Sequence, residues 1–210
     1  MDYEIRNILR GYNLLLYFSG SMLMNEPTED CVTDFWTNGT LKNLPVSSAN
    51  PRFIKAASLL RESCHDASKC RNMLAEDFSR LFSLSGLSLA PALSSFYLSK
   101  DKNNANPPVR VTEFYDSYGW KSMLRERNSD DHLGLELLFL TRLVDKYLLL
   151  EDYPCRCEMK KEIKRYIEIH LLSWIPYWNR DIQENALSIC YKGIGTLIYA
   201  CVEDLHGLFS

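Results

Sequence analysis

An all-α fold in a single domain spanning 1–210 is what this sequence predicts, and three observations predict it. Apolar residues recur at steps of three and four through most of the chain, the spacing of one helix face. No run of alternating β-branched residues competes with that pattern. The 210 residues are 46% hydrophobic and 12% aromatic, ample for one folded core.

Residues 3–18 carry Ile5, Ile8, Leu9, Tyr12, Leu15 and Leu16 as a stripe for one-sided packing. The breaker-rich stretches NEPTEDC and NGTLKNLPVSSANP follow, with a short helix expected at 30–36 between them. Helical stepping returns over 53–61, through Ile54, Ala57 and Leu60, and over 73–82, through Leu74, Phe78, Leu81 and Phe82. In SLSGLSLAPALSSFYLSKDKNNANPP, Gly86, Pro91, Pro107, Pro108 and the serines break any long period. It reads as a loop or hinge over 84–108 with a short ordered piece at Phe96-Tyr97. Helices resume over 109–120, 130–150, 157–170, 174–178 and 186–205, and no internal repeat of solenoid length is present.

Lys and Arg total 24 against 27 Asp and Glu, a net charge of -3, so there is no cationic excess to hold a phosphate backbone and no nucleic-acid partner is expected. The seven cysteines are odd in number and irregularly spaced, which predicts free thiols in the reducing cytoplasm. Asp2 and Glu4 stand where a signal peptide would be basic, and the first helix's longest apolar run is LLLYF. Neither export nor stable membrane insertion is expected, and the glycosylation sequon Asn38-Gly39-Thr40 has no secretory context.

The motifs that carry chemistry elsewhere are missing. Cys155-x-Cys157 and Cys64-His65-x4-Cys70 lack a second pair at zinc-site spacing, so no metal is expected. There is no Gly-rich phosphate loop, no G-x-S-x-G elbow and no H-E-x-x-H helix, and no cofactor is expected. His65 and His206 read as surface residues. In HLLSWIPYW, Leu171, Trp174 and Trp178 share one helix face and read as core, with His170 capping or orienting backbone groups.

The stretch SDDHLGLELLFLTRLVDKYLLL leaves two readings open. In one, Ser129 or Asp130 is the N-cap of the helix and the aspartates complement its dipole, worth about 0.3–1 kcal/mol. In the other, Asp131 and His132 are a working pair, as in a helical metal- or nucleotide-dependent enzyme that uses them as acid and base.

Three stretches, in order, resemble the TorD/DmsD/NarJ family of redox-enzyme maturation chaperones. FSRLFSLSGLSLAPALSSFYL is similar to that family's R-L-F helix end, Pro-containing loop and Ser-x-aromatic close. RNSDDHLGLELLFLTRLV resembles its E-P-x-D-H element and apolar helix, and HLLSWIPYW its H-L-x-x-W segment. The chain departs from the pattern at Asn128-Ser129, where Glu-Pro is usual, and at Leu84-Ser85, where Gly-Pro is usual.

The resemblance implies a TorD-like helical bundle and a cytoplasmic chaperone, not an enzyme. It implies that the chain binds the N-terminal, twin-arginine leader of a molybdenum enzyme's catalytic subunit in its apo form until the cofactor is loaded. By that likeness Asp130 and Asp131 receive the arginines, His132 adjusts the local charge, and the apolar part lies on Phe78, Leu81, Pro91, Leu93, Phe96 and Tyr97. It also implies a monomer or a domain-swapped dimer, with 103–108 as the hinge of exchange.

Overall fold

A computed structural model describes residues 3–33, 35, 43–64, 66–83, 88–99 and 110–210. The described secondary structure is helical, as its periodicity requires. Most of the 84–108 segment, including 103–108, lies outside the described residues, as do the sequon and His65.

The first helix, α1 (Tyr3–Met24), runs past the expected 3–18 because Phe18, Met22 and Leu23 continue its buried stripe. A short α2 (Glu29–Val32) occupies the start of the expected 30–36 helix. Pro51 begins α3 (Pro51–Glu62), and the Asn50 side chain accepts from the Arg52 amide, so a fixed φ and a cap together set the start. The next helix, α4 (Ala67–Phe82), starts six residues before the expected 73. Asp66 caps it by accepting from the Lys69 amide, and the polar first turn carries no stripe to reveal it.

Two short helices follow, α5 (Ser94–Leu98) and α6 (Val111–Ser117), and then a 3-10 turn at Met123–Glu126. The central helix is α7 (Leu133–Leu149). Asp152 and Pro154 set the start of α8 (Tyr153–Tyr166) before the expected 157, with Asp152 accepting from the Cys155 amide at 2.9 Å. A π-helical turn over Ile167–Leu171 leads to α9 (Ile175–Asn185), which outlasts the expected 174–178, and α10 (Ile189–Leu208) closes the chain.

The core is built from α1, α7 and α10, with α3 and α9 packed on α10 and α8 on α7. Backbones of α1 and α7 touch: a methyl group placed on Gly134 would sit 3.0 Å from the Gly20 carbonyl oxygen and 2.5 Å from Met24 Cγ. Glycine at both crossing points brings the start of α7 down onto the end of α1, and that sets the depth of the site below. Leu171, Trp174 and Trp178 are fully buried, as their shared face demands. Asp77 is also fully buried; its carboxylate accepts from the Leu187 and Ser188 amides at 3.0 and 2.6 Å and from Arg80 at 3.0 Å, fixing the start of α10 against α4.

One expectation is corrected here. Cys64 and Cys70, read as free thiols, form a disulfide, because the turn between α3 and α4 brings their Cα atoms to 5.8 Å. Cys155, Cys157 and Cys201 are free thiols. Among the described residues no helix is long and apolar enough to cross a membrane.

Candidate functional site

The site grows from a contact between two segments far apart in sequence. Leu133 donates its amide to the Ala92 carbonyl at 2.8 Å and Ser94 donates to the Asp131 carbonyl at 3.0 Å, an isolated antiparallel bridge. This ties α5 to the start of α7 and raises a polar ridge with a cavity on either side. Ser129 borders both.

The first cavity, about 640 Å³, is predominantly apolar. Phe78 and Phe82 of α4 form one wall, Leu23 and Met24 of α1 another, and Pro91, Leu93 and Phe96 the third. His132 and Arg127 complete its polar edge. Its size falls within the range of about 300–1,000 Å³ typical of ligand pockets. The second cavity, about 630 Å³, is richer in hydroxyls and charge: Ser94 and Ser95 of α5, Thr112 of α6, Ser173, Asp130 and Asp131, with Arg110 at its margin.

Phe78, Pro91, Leu93, Phe96 and His132 therefore come together, and the two aspartates face the opposite side of the ridge. Leu81 and Tyr97 line neither cavity. Leu81 is fully buried in the core. Tyr97 stacks on Trp174 at 5.6 Å between ring centres and donates its hydroxyl to Asp181 at 3.1 Å. Adjacent residues on a helix diverge by about 100°, so only Phe96 of that pair turns outward.

Both readings of the polar doublet need correction. Neither Ser129 nor Asp130 caps α7; His132 does, its Nδ1 accepting from the Gly134 amide at 3.1 Å. Asp131 caps the other element, accepting from the Ser95 amide of α5 at 3.0 Å and from the Ser129 hydroxyl. Burial alone would raise the Asp131 pKa, but those hydrogen bonds from Ser129 and Ser95 hold it below the usual carboxylate value. Asp130 is committed to Arg125, which grips it with Nε at 2.5 Å and Nη2 at 3.1 Å while its guanidinium lies over the Tyr115 ring. No hydrogen bond joins Asp131 to His132, and His132 spends Nδ1 on the helix.

Burial lowers the His132 pKa to about 4, against the smaller opposing pull of Asp131, so the ring is neutral at pH 7. His170 is likewise lowered to about 4, by burial and then by Arg165. It does not cap or orient backbone, as the sequence suggested. Its Nε2 has no hydrogen-bond partner, and the ring packs edge-on to Phe114 at 5.0 Å while bordering the second cavity.

The residue the sequence reading missed is Glu136. It is fully buried in the first turn of α7, and burial, then the charge of Asp131, raises its pKa well above the ordinary carboxyl value. Burial favours its protonated form. Trp174 Nε1 donates to its Oε2 at 3.2 Å, and Tyr166 donates to its backbone carbonyl at 3.0 Å, so this one residue braces the ridge against the tryptophan core. A single acid inside LGLELLFL was the available signal. Phe82, one turn beyond Phe78 on the same face, was the other omission.

These shifts have opposite signs in stability. Histidines titrating near 6.5 when unfolded but near 4 when folded draw protons into the unfolded state, so stability is lost as pH falls from 6.5 to 4. Glu136, raised in the folded state, loses its contribution as pH rises above about 4.5 and so opposes one histidine in that window. Thermal melts between pH 4.5 and 6.5 should show a modest net rise with pH, flattened in His170→Gln and steepened in Glu136→Gln. A wild-type melting temperature that falls with rising pH would contradict these assignments.

A family model for the nitrate reductase delta subunit matches residues 49–179, which contain the whole ridge and two of the apolar cavity's three walls. The chain belongs to the nitrate reductase delta subunit family. Within it, the chain is 33% identical over 133 residues to the chaperone protein TorD of Psychrobacter sp. (strain PRwf-1), covering 63% of this chain and 56% of that one. It is 28% identical over 137 residues to the chaperone protein TorD of Vibrio cholerae serotype O1 (strain ATCC 39315 / El Tor Inaba N16961), covering 64% of this chain and 62% of the relative. The match thus spans 56% and 62% of the length of these two relatives. The delta-subunit segment runs from the start of α3 into α9; the α1 wall, Leu23 and Met24, lies before it.

Proposed function

We propose that this delta-subunit family member is a cytoplasmic chaperone of redox-enzyme maturation. It binds the N-terminal, twin-arginine leader of a molybdenum enzyme's catalytic subunit and holds the apo form until the cofactor is inserted. The observation that carries this reading is the apolar cavity set beside a ridge whose far side presents Asp131. A leader of this type joins guanidinium groups to an apolar helix-forming segment. The apolar segment lies against Phe78, Phe82, Leu93 and Phe96, and the chain crosses the ridge at Ser129 to bring an arginine to Asp131.

The proposed contact set is smaller than the resemblance implies. Asp130 is already neutralised by Arg125, Leu81 lies in the core, and Tyr97 is turned to Trp174 and Asp181. An acid-base enzyme is the weaker reading: His132 caps a helix with the nitrogen it would need, and no third group orients an Asp131-His132 pair. Ordering a flexible leader costs about 2–5 kcal/mol, which points to a reversible complex near micromolar affinity, about 8 kcal/mol.

The test is calorimetry of synthetic leaders against Asp131→Asn. The amide oxygen still accepts from the Ser95 amide, so the melting temperature should stay within a few degrees. An exposed ion pair contributes about 0.2–1 kcal/mol, so binding of the arginine leader should weaken up to about fivefold. A leader with both arginines replaced by glutamine should bind the variant and the wild type alike. Equal weakening for both leaders, or none for either, would count against the reading.

A further inference from the structure

The charge of the apolar cavity is opposite to that of the ridge beyond it. Arg127 is the charged residue lining it, and no carboxylate is found among its described lining residues. Arg127 is exposed and makes no ion pair among the described residues. His132 adds no charge at neutral pH. Asp131 faces the second cavity, and Asp130 is held there by Arg125.

The backbone beneath Arg127 is fixed, while its guanidinium makes no hydrogen bond or ion pair among the described residues. Its amide donates to the Leu124 carbonyl at 3.2 Å as the cap of the 3-10 turn, and the Asn128 side chain donates to the same carbonyl at 3.0 Å. A cation on a fixed corner at the rim of an apolar trough engages an anion at the cost of ordering its side chain alone, as a solvent-exposed pair.

We propose that Arg127 sets the selectivity of the bound leader by pairing with a carboxylate next to the leader's apolar segment. This rests on the leader-binding reading above. The occupant is then a dipolar segment, basic at the end that crosses to Asp131 and acidic where it passes Arg127.

The experiment uses synthetic twin-arginine leaders bearing Glu, Gln or Lys at each of four successive positions on either side of the apolar run, titrated calorimetrically at low salt into the full chain. At one register the wild type should prefer Glu over Gln by about two- to fivefold and disfavour Lys. Arg127→Lys should keep that preference, Arg127→Gln should abolish it and Arg127→Glu should reverse it, all with unchanged melting temperatures. The preference should shrink as salt shortens the screening length. Equal binding of the three series at every position, or a Glu preference that survives Arg127→Gln, would overturn the inference and leave leader binding standing. If no leader binds the wild type at all, the functional reading fails and this inference fails with it.

Discussion

Trp174→Ala is expected to lower stability by about 3–5 kcal/mol, the largest stability effect of any single truncation near the site. The indole is fully buried, stacks on Tyr97, and donates Nε1 to both the His170 carbonyl at 2.6 Å and Glu136 at 3.2 Å. Alanine leaves a large void and strips Glu136 of the hydrogen bond that accompanies its burial. Denaturant unfolding followed by far-UV circular dichroism gives the number. Trp174→Phe fills most of the void without donating, so its smaller loss separates packing from the hydrogen bond. A loss below about 1 kcal/mol for alanine would mean that this end of the core is not braced as described.

The largest effect on binding should come from the double variant Leu93→Ala, Phe96→Ala. Both side chains line the apolar cavity, and Phe96 is 37% exposed, so trimming it disturbs the free protein little. Leu93 precedes α5 without a side-chain cap, so its truncation removes no helix contact of that kind. Each large apolar group buried in a complex supplies about 1.5–3 kcal/mol, which makes the double variant about a hundredfold weaker or more for an arginine leader. That exceeds the effect of Asp131→Asn many times over. On the proposed reading, apolar contact sets affinity and the acid sets register. A double variant that binds within fivefold of wild type would place the leader elsewhere.

The helices were legible where a stripe ran unbroken, as over 133–149, and their ends were legible where a cap coincided with a proline, as at Asn50-Pro51. The start of α4 was not, because its cap precedes a polar turn with no periodicity. At the site, the sequence showed which residues are apolar and which acidic, but not the pairing of 92–94 with 131–133. That long-range bridge decides that Asp131 serves α5 and turns away from the apolar cavity. The Arg125 grip on Asp130 spans five residues across an irregular turn, so helical spacing gave no hint of it. Glu136 was hidden differently: a buried acid and a surface acid look the same in sequence until the helix is packed.

The central claim is that one leader straddles the ridge, with its apolar run on the Phe78 side and its arginines on the Asp131 side. Photo-crosslinking tests it most directly, using a twin-arginine leader that carries a benzophenone side chain either within the apolar run or beside the arginines, with the attachment points read by mass spectrometry. The account predicts that the first probe attaches at Met24, Phe78, Leu93 or Phe96 and the second at Ser95, Thr112 or Ser173. Both probes attaching on one side of Ser129, or on a surface remote from it, would contradict it.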